Sequence, residues 1–172
     1  MHIVNLKPNS AILLTGSNMG DRLHHLQKAA AAIELQIGKV VKTSCIYETA
    51  AWGNTDQPSF LNQAIIVDTE CSPEELLYKI LTIETSMGRV RKTRWEQRII
   101  DIDILFHGSV ISEQKHLTIP HPEIPNRRFV LEPLNELVPE LVHPLLKKTI
   151  CQLLNECNDP LTVTKLNSHV QK

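Results

Sequence analysis

The feature of this sequence that most constrains its fold is a β-branched run with two regularly spaced aspartates, residues 99–106. Side chains alternate between the two faces of a strand, so Asp101 and Asp103 are expected on one face, about 7 Å apart along the chain. The alternating side chains from Ile100 to Phe106 are expected on the other face, against the core. The run therefore predicts a strand with one apolar face and one carboxylate face.

A cationic segment directly precedes this strand. Residues 89–98, called the basic segment below, carry five Lys or Arg side chains and Trp95 without a clean helical or strand period. Two carboxylates often mark only the solvated face of a sheet, and a basic run is usually a surface loop. Here the opposite charges lie in adjacent blocks, which favours a joint site for Mg²⁺ and polyphosphate. Mg²⁺ prefers carboxylate and phosphate oxygens, and guanidinium groups bind phosphate oxygens in pairs.

Length and composition limit the class of protein. A chain of 172 residues suits one domain, residues 1–172, with a polar tail from about residue 160. A formal net charge of −1 disfavours a dedicated nucleic-acid binder. The four cysteines lack C-x-x-C spacing, which disfavours zinc and favours a reducing compartment. Without a secretory signal or an apolar run of about 18 residues, we expect a cytoplasmic protein with no membrane partner.

The order of the expected elements predicts the fold class. Strands are expected at residues 10–15, 39–47, 60–69 and 100–106, and helices at residues 21–38 and 72–88. Gly16 is expected in a tight turn, since residues 16–22 lack the P-loop pattern, and Gly38 as a helix cap. The succession is that of an α+β protein with a ferredoxin-like βαββαβ core.

The remainder of the chain adds smaller elements to this core. His107 and Gly108 predict a turn into a hairpin partner at residues 109–112. A helix is expected from Asn126, followed by further short helices. Glu84 lies in the last turn of its predicted helix, where the helix dipole disfavours an anion. We therefore expect Glu84 either to serve a ligand or to hold an arginine of the basic segment.

A set of short motifs is spread over about residues 11–142. They are Gly16-Ser17-Asn18, Gly20-Asp21-Arg22, Tyr47-Glu48-Thr49, Trp52-Gly53, Asp56-Gln57-Pro58, Phe60-Leu61-Asn62, Glu84, Gly88-Arg89, Arg91-Lys92, Trp95, Arg98, Asp101 to Leu105, Pro120-His121-Pro122 and Arg127 to Leu131. Taken together, these motifs are similar to those of the 6-hydroxymethyl-7,8-dihydropterin pyrophosphokinases, a family of folate-biosynthesis enzymes. Individually several are weak, but their order and spacing are specific.

The resemblance implies a reaction and its catalytic groups. The β,γ-pyrophosphoryl group of ATP would pass to the hydroxymethyl oxygen of 6-hydroxymethyl-7,8-dihydropterin, and AMP would leave. Asp101 and Asp103 would hold two Mg²⁺ ions. Arg89 and Arg98 would meet the charge that develops during transfer. Phosphoryl-type transfer relies on positioning and charge neutralisation, so the absence of an evident nucleophile fits this chemistry. The sequence does not identify a general base.

The resemblance also implies two substrate subsites. Its ATP positions are Glu84, Arg91, Trp95, Arg98, Ile104, Lys115, Thr118, His121 and Arg127. Its pterin positions are Thr49, Ala50, Ala51 and Trp52, the amide of Asn62, and the rings of Phe60 and Phe129. A flat heterocycle is well held between aromatic faces with amides at its rim. Every predicted site residue belongs to one chain, so we expect a monomer to suffice.

Two other functions fit parts of the pattern. A ferredoxin-like RNA-binding module could use the basic segment, although such modules carry aromatic residues on their central strands and a basic overall charge. Ile102 and Ile104 occupy the corresponding strand here. A sugar-nucleotide transferase could use the two aspartates, but such enzymes usually need a larger sheet than this chain can form.

Overall fold

The computed structural model describes residues 5–51, 56–90 and 97–166. Within these ranges it contains strands β1 (Ser10–Ser17), β2 (Lys39–Thr43), β3 (Tyr47–Thr49), β4 (Phe60–Asp68), β5 (Asp101–His107), β6 (Ser112–Gln114), β7 (Leu117–Ile119) and β8 (Val163–Lys165). The helices are α1 (Arg22–Gln36), α2 (Pro73–Ser86), α3 (Arg128–Leu137) and α4 (Ile150–Glu156), with one 3₁₀ turn at Ile124–Asn126. No helix in the described ranges is long and apolar enough to cross a membrane.

Six of these strands form one sheet. Its order is β5-β1-β4-β3-β8, and β2 pairs with β4 beside β3. All of the pairings within it are antiparallel. The last core strand, β5, therefore lies beside β1, and β4 lies on the other side of β1. This arrangement confirms the predicted α+β fold with a ferredoxin-like core.

Each face of the sheet carries its own hydrophobic core. One core joins the sheet to α1 and α2 through residues such as Leu13, Ile65 and Ile83. The other joins it to α3 and α4 through residues such as Ile12 and Leu134. Burial of apolar area on both sides fixes which face each strand residue occupies, and hence where its polar side chains lie.

The predicted starts of α1 and α2 are confirmed. The side chain of Asp21 accepts a hydrogen bond from the N–H of His24 at 3.0 Å, which caps α1. Ser72 and Glu75 form a complete capping box ahead of α2. These bonds satisfy backbone N–H groups that a helix terminus otherwise leaves without partners. The start of α3 was placed two residues early, because a 3₁₀ turn ending at Asn126 precedes Arg128.

The expected single strand at residues 39–47 is wrong, because β2 and β3 are separate. The break lies at Ser44, whose hydroxyl accepts a hydrogen bond from the N–H of Ala64 at 3.0 Å. The carbonyl of Ser44 instead accepts from the side-chain amide of Gln63 at 2.8 Å. Side-chain hydrogen bonds thus replace backbone ladder bonds at Ser44. Two short strands, β2 and β3, therefore pair with β4 in place of one long strand.

The expectation that Phe106 shares a face with Ile102 and Ile104 is also wrong. Opposite β5, Ile12 pairs with Phe106 and Leu13 pairs with Ile104, which leaves Leu105 as an extra residue. Such a β-bulge shifts the alternation by one position. Phe106 therefore belongs to the core beneath α3 and α4, whereas Ile102 and Ile104 belong to the core beneath α1 and α2.

The elements after β5 differ from the prediction in two further ways. Residues 109–112 were expected to pair with the preceding strand, but β6 pairs with β7 in a separate two-stranded sheet. The tail from residue 160 was expected to be merely polar, yet β8 pairs with β3 at the edge of the main sheet. A three-residue strand carries too little periodicity to be recognised from sequence alone.

Candidate active site

The candidate site lies on the sheet face that packs against α3 and α4. Gly16 of β1 is the register partner of both Asn62 on β4 and Asp101 on β5. Cross-strand partners point to the same face, so the carboxylate and the amide flank a glycine. Adjacent strands are about 4.8 Å apart, which separates the backbones of Asn62 and Asp101 by about 10 Å. The predicted metal ligand, Asp101, and the predicted pterin-binding amide, Asn62, therefore lie on the same face of the sheet, on either side of Gly16.

Gly16 lies inside a strand and not in the tight turn that was expected. A Cβ atom at this position would lie 2.8 Å from Oδ1 of Asn62 and 3.8 Å from a ring carbon of Phe60. The missing side chain therefore leaves space for the amide and the ring. Gly38, expected as a helix cap, follows the cap residue Ile37, and a Cβ there would lie 2.0 Å from the carbonyl oxygen of Asp68.

Asp101 is the centre of a charged cluster that joins the basic segment to the sheet. Nη1 of Arg89 lies 2.6 Å from its Oδ1, and Nη1 of Arg98 lies 2.5 Å from its Oδ2. Arg89 also contacts Oε1 of the buried Glu84 at 2.5 Å. The same Glu84 oxygen accepts a hydrogen bond from the N–H of Ile102 at 2.8 Å. Glu84 thus holds an arginine of the basic segment, one of the two roles expected for it.

Asp103 has a different electrostatic environment from Asp101. Burial, followed by the nearby Asp101 and Glu84 carboxylates, raises the pKa of Asp103 to about 8, while Arg98 and Arg127 act in the opposite direction. Two carboxylates on one strand face disfavour simultaneous ionisation. A cation bound beside Asp103 would favour the ionised form of its carboxyl group.

His121 and Arg127 complete the polar side of the site. Burial and the charge of Arg127 lower the pKa of His121, which keeps the imidazole neutral near pH 7. Its Nδ1 accepts a hydrogen bond from the N–H of Glu123 at 3.2 Å, so the remaining proton belongs on Nε2. Arg127 lies 3.7 Å from a carboxylate oxygen of Glu123 and 5.9 Å from the centroid of the Phe129 ring. The site therefore contains a neutral N–H donor, that of His121, near the positively charged side chain of Arg127.

The predicted pterin wall comes from β3, β4 and the start of α3. Thr49 pairs with Phe60 in register, so their side chains share the face that carries Asn62. Oγ1 of Thr49 and Nδ2 of Asn62 are buried and have no hydrogen-bond partner among the residues that the structure describes. Such groups are unusual in folded proteins, because burial without a partner is unfavourable. Phe129 packs at the edge of the core on this same face.

The structure does not bring every predicted residue to this face. Ile104 is 7% exposed and belongs to the core beneath α1 and α2. Lys115 and Thr118 lie in the β6–β7 hairpin, and β7 packs beside β5 and α2. Ala50 and Ala51 directly follow β3. The predicted positions Trp52, Arg91 and Trp95 lie outside the described residues.

Two side chains that belong to sequence motifs but were assigned no role hold the loops around this site. Asn18, which directly follows β1, contacts Arg98, Gln57 and Pro58. Arg22 donates from Nη1 to Oε1 of Glu48 and to the carbonyl oxygen of Ser59, both at 2.9 Å. The signal available was weak: polar residues at the end of a buried strand often anchor turns.

The donor set fits a hard cation such as Mg²⁺ that also keeps substrate ligands. Among the described residues no group of three or more His, Cys, Asp or Glu side chains forms a closed metal cage. Mg²⁺ in phosphate-transfer sites is usually bound by one or two carboxylates together with phosphates and water. Asp101 and Asp103 supply that pair of carboxylates on one strand face.

Comparison with known proteins gives consistent matches. The sequence model of the 7,8-dihydro-6-hydroxymethylpterin-pyrophosphokinase (HPPK) family matches residues 12–139. Two similar relatives are both named 2-amino-4-hydroxy-6-hydroxymethyldihydropteridine pyrophosphokinase. That of Methylorubrum extorquens is 45% identical over 134 residues, which cover 77% of this chain and 84% of the relative. That of Synechocystis sp. is 40% identical over 149 residues, covering 86% and 76%.

Solved structures from Plasmodium falciparum have a similar fold. The wild-type HPPK-DHPS structure with SDX-DHP gives a TM-score of 0.67 at 22% identity and covers 86% of this chain. The wild-type structure with pteroate gives a TM-score of 0.70, also at 22% identity. This chain spans 43% of the first and 42% of the second. At this identity the likeness shows the fold alone.

Proposed function

Because this chain belongs to the 7,8-dihydro-6-hydroxymethylpterin-pyrophosphokinase family, a group of folate-biosynthesis enzymes, we propose that it transfers a pyrophosphoryl group from ATP, with Mg²⁺, to 6-hydroxymethyl-7,8-dihydropterin. The products are AMP and the pterin diphosphate. The observation that carries this assignment is the register row of Asp101, Gly16 and Asn62. This row supports the proposal because a carboxylate suited to the phosphate side and an amide suited to the acceptor side share one face of the sheet, with only a glycine between them.

The acceptor side suits the flat, polar ring of a pterin. Asn62 and Thr49 each offer a buried polar atom that has no partner within the described part of the chain. A heterocycle with donors and acceptors at its edge would satisfy both atoms. Phe60 and Phe129 supply the aromatic faces on which such a ring stacks. In this proposal the polar atoms of Asn62 and Thr49 select the heterocycle. They also orient its hydroxymethyl group toward Asp101.

The phosphate side suits a polyphosphate chain. Asp101 and Asp103 would hold Mg²⁺, which when bound supplies neutralisation of the phosphate charge. Arg89 and Arg98 lie on Asp101 at hydrogen-bond distance and present their remaining N–H groups at the same edge. Arg127 and the neutral His121 add a cation and an N–H donor. These residues bind and orient the phosphates in line with the acceptor oxygen, which is most of what catalysis of this reaction requires.

The proposed reaction can be tested by ³¹P NMR of the purified protein with MgATP and 6-hydroxymethyl-7,8-dihydropterin. We expect pterin-dependent formation of AMP together with a pterin-linked diphosphate. Formation of ADP would retain a kinase but reject transfer of the pyrophosphoryl group. No ATP consumption by folded protein supplied with Mg²⁺ would reject the proposed reaction altogether.

The carboxylate assignment needs variants of its own. Asp101→Ala and Asp103→Ala should each lower kcat by about 1000-fold or more, because each removes a cation ligand at the point of charge transfer. Glu140→Ala, which removes an exposed carboxylate in the segment after α3, is the matched control and should retain wild-type turnover. Near-normal activity of both aspartate variants would contradict the cation site.

A further inference from the structure

Asn18 lies where the acceptor side and the phosphate side of the candidate site meet. It directly follows β1, and its side chain is 1% exposed. On one side it contacts residues 57–58, which lead into β4 and its Phe60 and Asn62. On the other side it contacts Arg98, which precedes β5. One buried amide therefore touches both of the segments that carry the substrate-binding strands.

Toward the phosphate side, Asn18 fixes the backbone of Arg98. The N–H of Asn18 donates to the carbonyl oxygen of Arg98 at 3.1 Å, and the N–H of Arg98 donates to Oδ1 of Asn18 at 2.7 Å. Both backbone polar groups of Arg98 are thereby satisfied by one residue. The Arg98 guanidinium contacts Asp101, so its backbone anchor determines how the side chain approaches the carboxylate.

Toward the acceptor side, the same amide uses its NH₂ group. Nδ2 of Asn18 donates to Oε1 of Gln57 and to the carbonyl oxygen of Pro58, both at 3.3 Å. Reversing the amide would place its NH₂ against the N–H of Arg98 and its oxygen against two acceptors. The surroundings therefore determine the amide orientation, and both of its ends are used.

We propose that Asn18 is a positioning residue that holds the acceptor-binding segment and Arg98 in a fixed relation. This inference rests on the proposed transfer from ATP to a pterin. The oxygen of the amide serves the phosphate side and its NH₂ group serves the acceptor side. An isosteric carboxylate preserves only the first function, so the two functions are separable by mutation.

Asn18→Asp is the separating variant. It keeps an oxygen for the N–H of Arg98 but places a second oxygen against the acceptors of residues 57–58. We expect the KM for the pterin to rise about tenfold while the KM for ATP stays within about twofold. Asn18→Ala loses both sets of bonds and should also lower kcat by about 100-fold, because Arg98 is no longer anchored. Asn155→Asp, the same exchange on an exposed face of α4, should leave all three constants unchanged.

Thermal unfolding of each variant identifies those that fold. If Asn18→Asp fails to fold, the kcat of folded Asn18→Ala decides, and a value within about threefold of wild type would overturn the inference. Equal changes in both KM values for Asn18→Asp would overturn it as well, since a general structural role predicts no selectivity. Failure of the wild-type protein to form the pterin diphosphate would instead reject the proposed function, which separates the two conclusions.

Discussion

At the scale of single residues, an absent side chain is as important as those present. Gly16 is required because the Asn62 amide occupies the space that a Cβ atom would take. The sequence shows a glycine at the end of an apolar run, which is equally typical of a turn. Only the pairing of β1 with both β4 and β5 reveals that this glycine lies between two polar side chains. That pairing is long-range, and no local pattern encodes it.

Gly16→Ala should therefore impair acceptor binding through Asn62. The added methyl group would displace the amide, and we expect the KM for the pterin to rise about tenfold with a smaller effect on the KM for ATP. Steady-state kinetics of Gly16→Ala, Asn62→Ala and the double variant form the test. In the Asn62→Ala background the clash is gone, so Gly16→Ala should add less than about twofold. Additive effects would show that Gly16 acts elsewhere.

The two aspartates of β5 should respond in opposite ways to neutralisation. Asp101 holds two arginines, so Asp101→Asn should lower the free energy of unfolding by about 2 kcal/mol. Burial and the neighbouring carboxylates raise the pKa of Asp103 and so disfavour its ionised form, and Asp103→Asn should therefore raise that free energy by about 1 kcal/mol in Mg²⁺-free buffer. Both variants should lose activity. Urea denaturation measures the difference, and equal signs would contradict the assigned environments.

At the scale of secondary-structure elements, Glu136 connects α3 to the edge of the sheet. Its carboxylate accepts hydrogen bonds from the Tyr47 hydroxyl at 2.6 Å and from the N–H of Cys45 at 3.0 Å. Lys165 of β8 lies 3.4 Å away. Burial and the Glu136 carboxylate raise the pKa of Tyr47, so its hydroxyl remains a donor at neutral pH. These bonds hold the helix that carries Phe129 against the strand that ends with Thr49.

Glu136→Gln should destabilise the fold in a pH-dependent manner. Burial alone would raise the pKa of Glu136, but the bonds from Tyr47, Cys45 and Lys165 lower it overall. A depressed folded-state pKa contributes stability above the unfolded value of about 4.3, and this contribution is lost as pH falls through the folded pKa. We expect a deficit of about 1–2 kcal/mol at pH 7 that narrows below about pH 4.

Urea denaturation of Glu136→Gln at pH 7 and below about pH 4 tests this pH dependence. Glu140→Gln, an exposed residue on the segment after α3, is the control. The control should match the wild-type free energy of unfolding throughout. A Glu136→Gln deficit that stays constant down to about pH 3 would show that packing, and not the charged hydrogen bonds, is the main contribution of this residue.

Elements with local signals were predictable, and those that depend on distant partners were not. The caps of α1 and α2 are chemical signals within four residues, so both starts were predicted. The bulge at Leu105 has no local signal, since a run of apolar residues fits either face. The break at Ser44 likewise depends on the N–H of Ala64, a residue far away in the sequence.

At the scale of the whole molecule, the candidate site is formed around β1 and the two strands that pair with it, β4 and β5. The predicted Asp101, Asp103 and Asn62 share one face because β5 and β4 both pair with β1, and Glu84 reaches β5 from α2 through the N–H of Ile102. Their side-chain chemistry was predictable from charge and alternation along each strand. Their mutual position was not, because register is set by burial on two faces at once. The role of Asn18 was not predicted for the same reason, since its partners lie in two other loops.

The chain also closes its sheet with a strand that contributes to the acceptor side. β8 pairs with β3 so that Val163 lies opposite Thr49 and Lys165 opposite Tyr47. The N–H of Leu166 donates to the carbonyl oxygen of Ile46 at 2.8 Å, and its side chain packs against the core. Without β8, the strand that ends with Thr49 would have pairing on only one side, which weakens its hold on that residue.

A chain ending at Leu161 should therefore fold but bind the acceptor less well than one ending at Leu166. Both lack residues 167–172, so their difference isolates β8. We expect the shorter chain to lose about 2 kcal/mol of unfolding free energy, because several ladder bonds and one apolar contact disappear. Its KM for the pterin should rise about fivefold while that for ATP changes little, since Thr49 lies on the neighbouring strand. Equal pterin KM values, measured with both chains folded, would show that β8 supports the sheet without influencing the acceptor side.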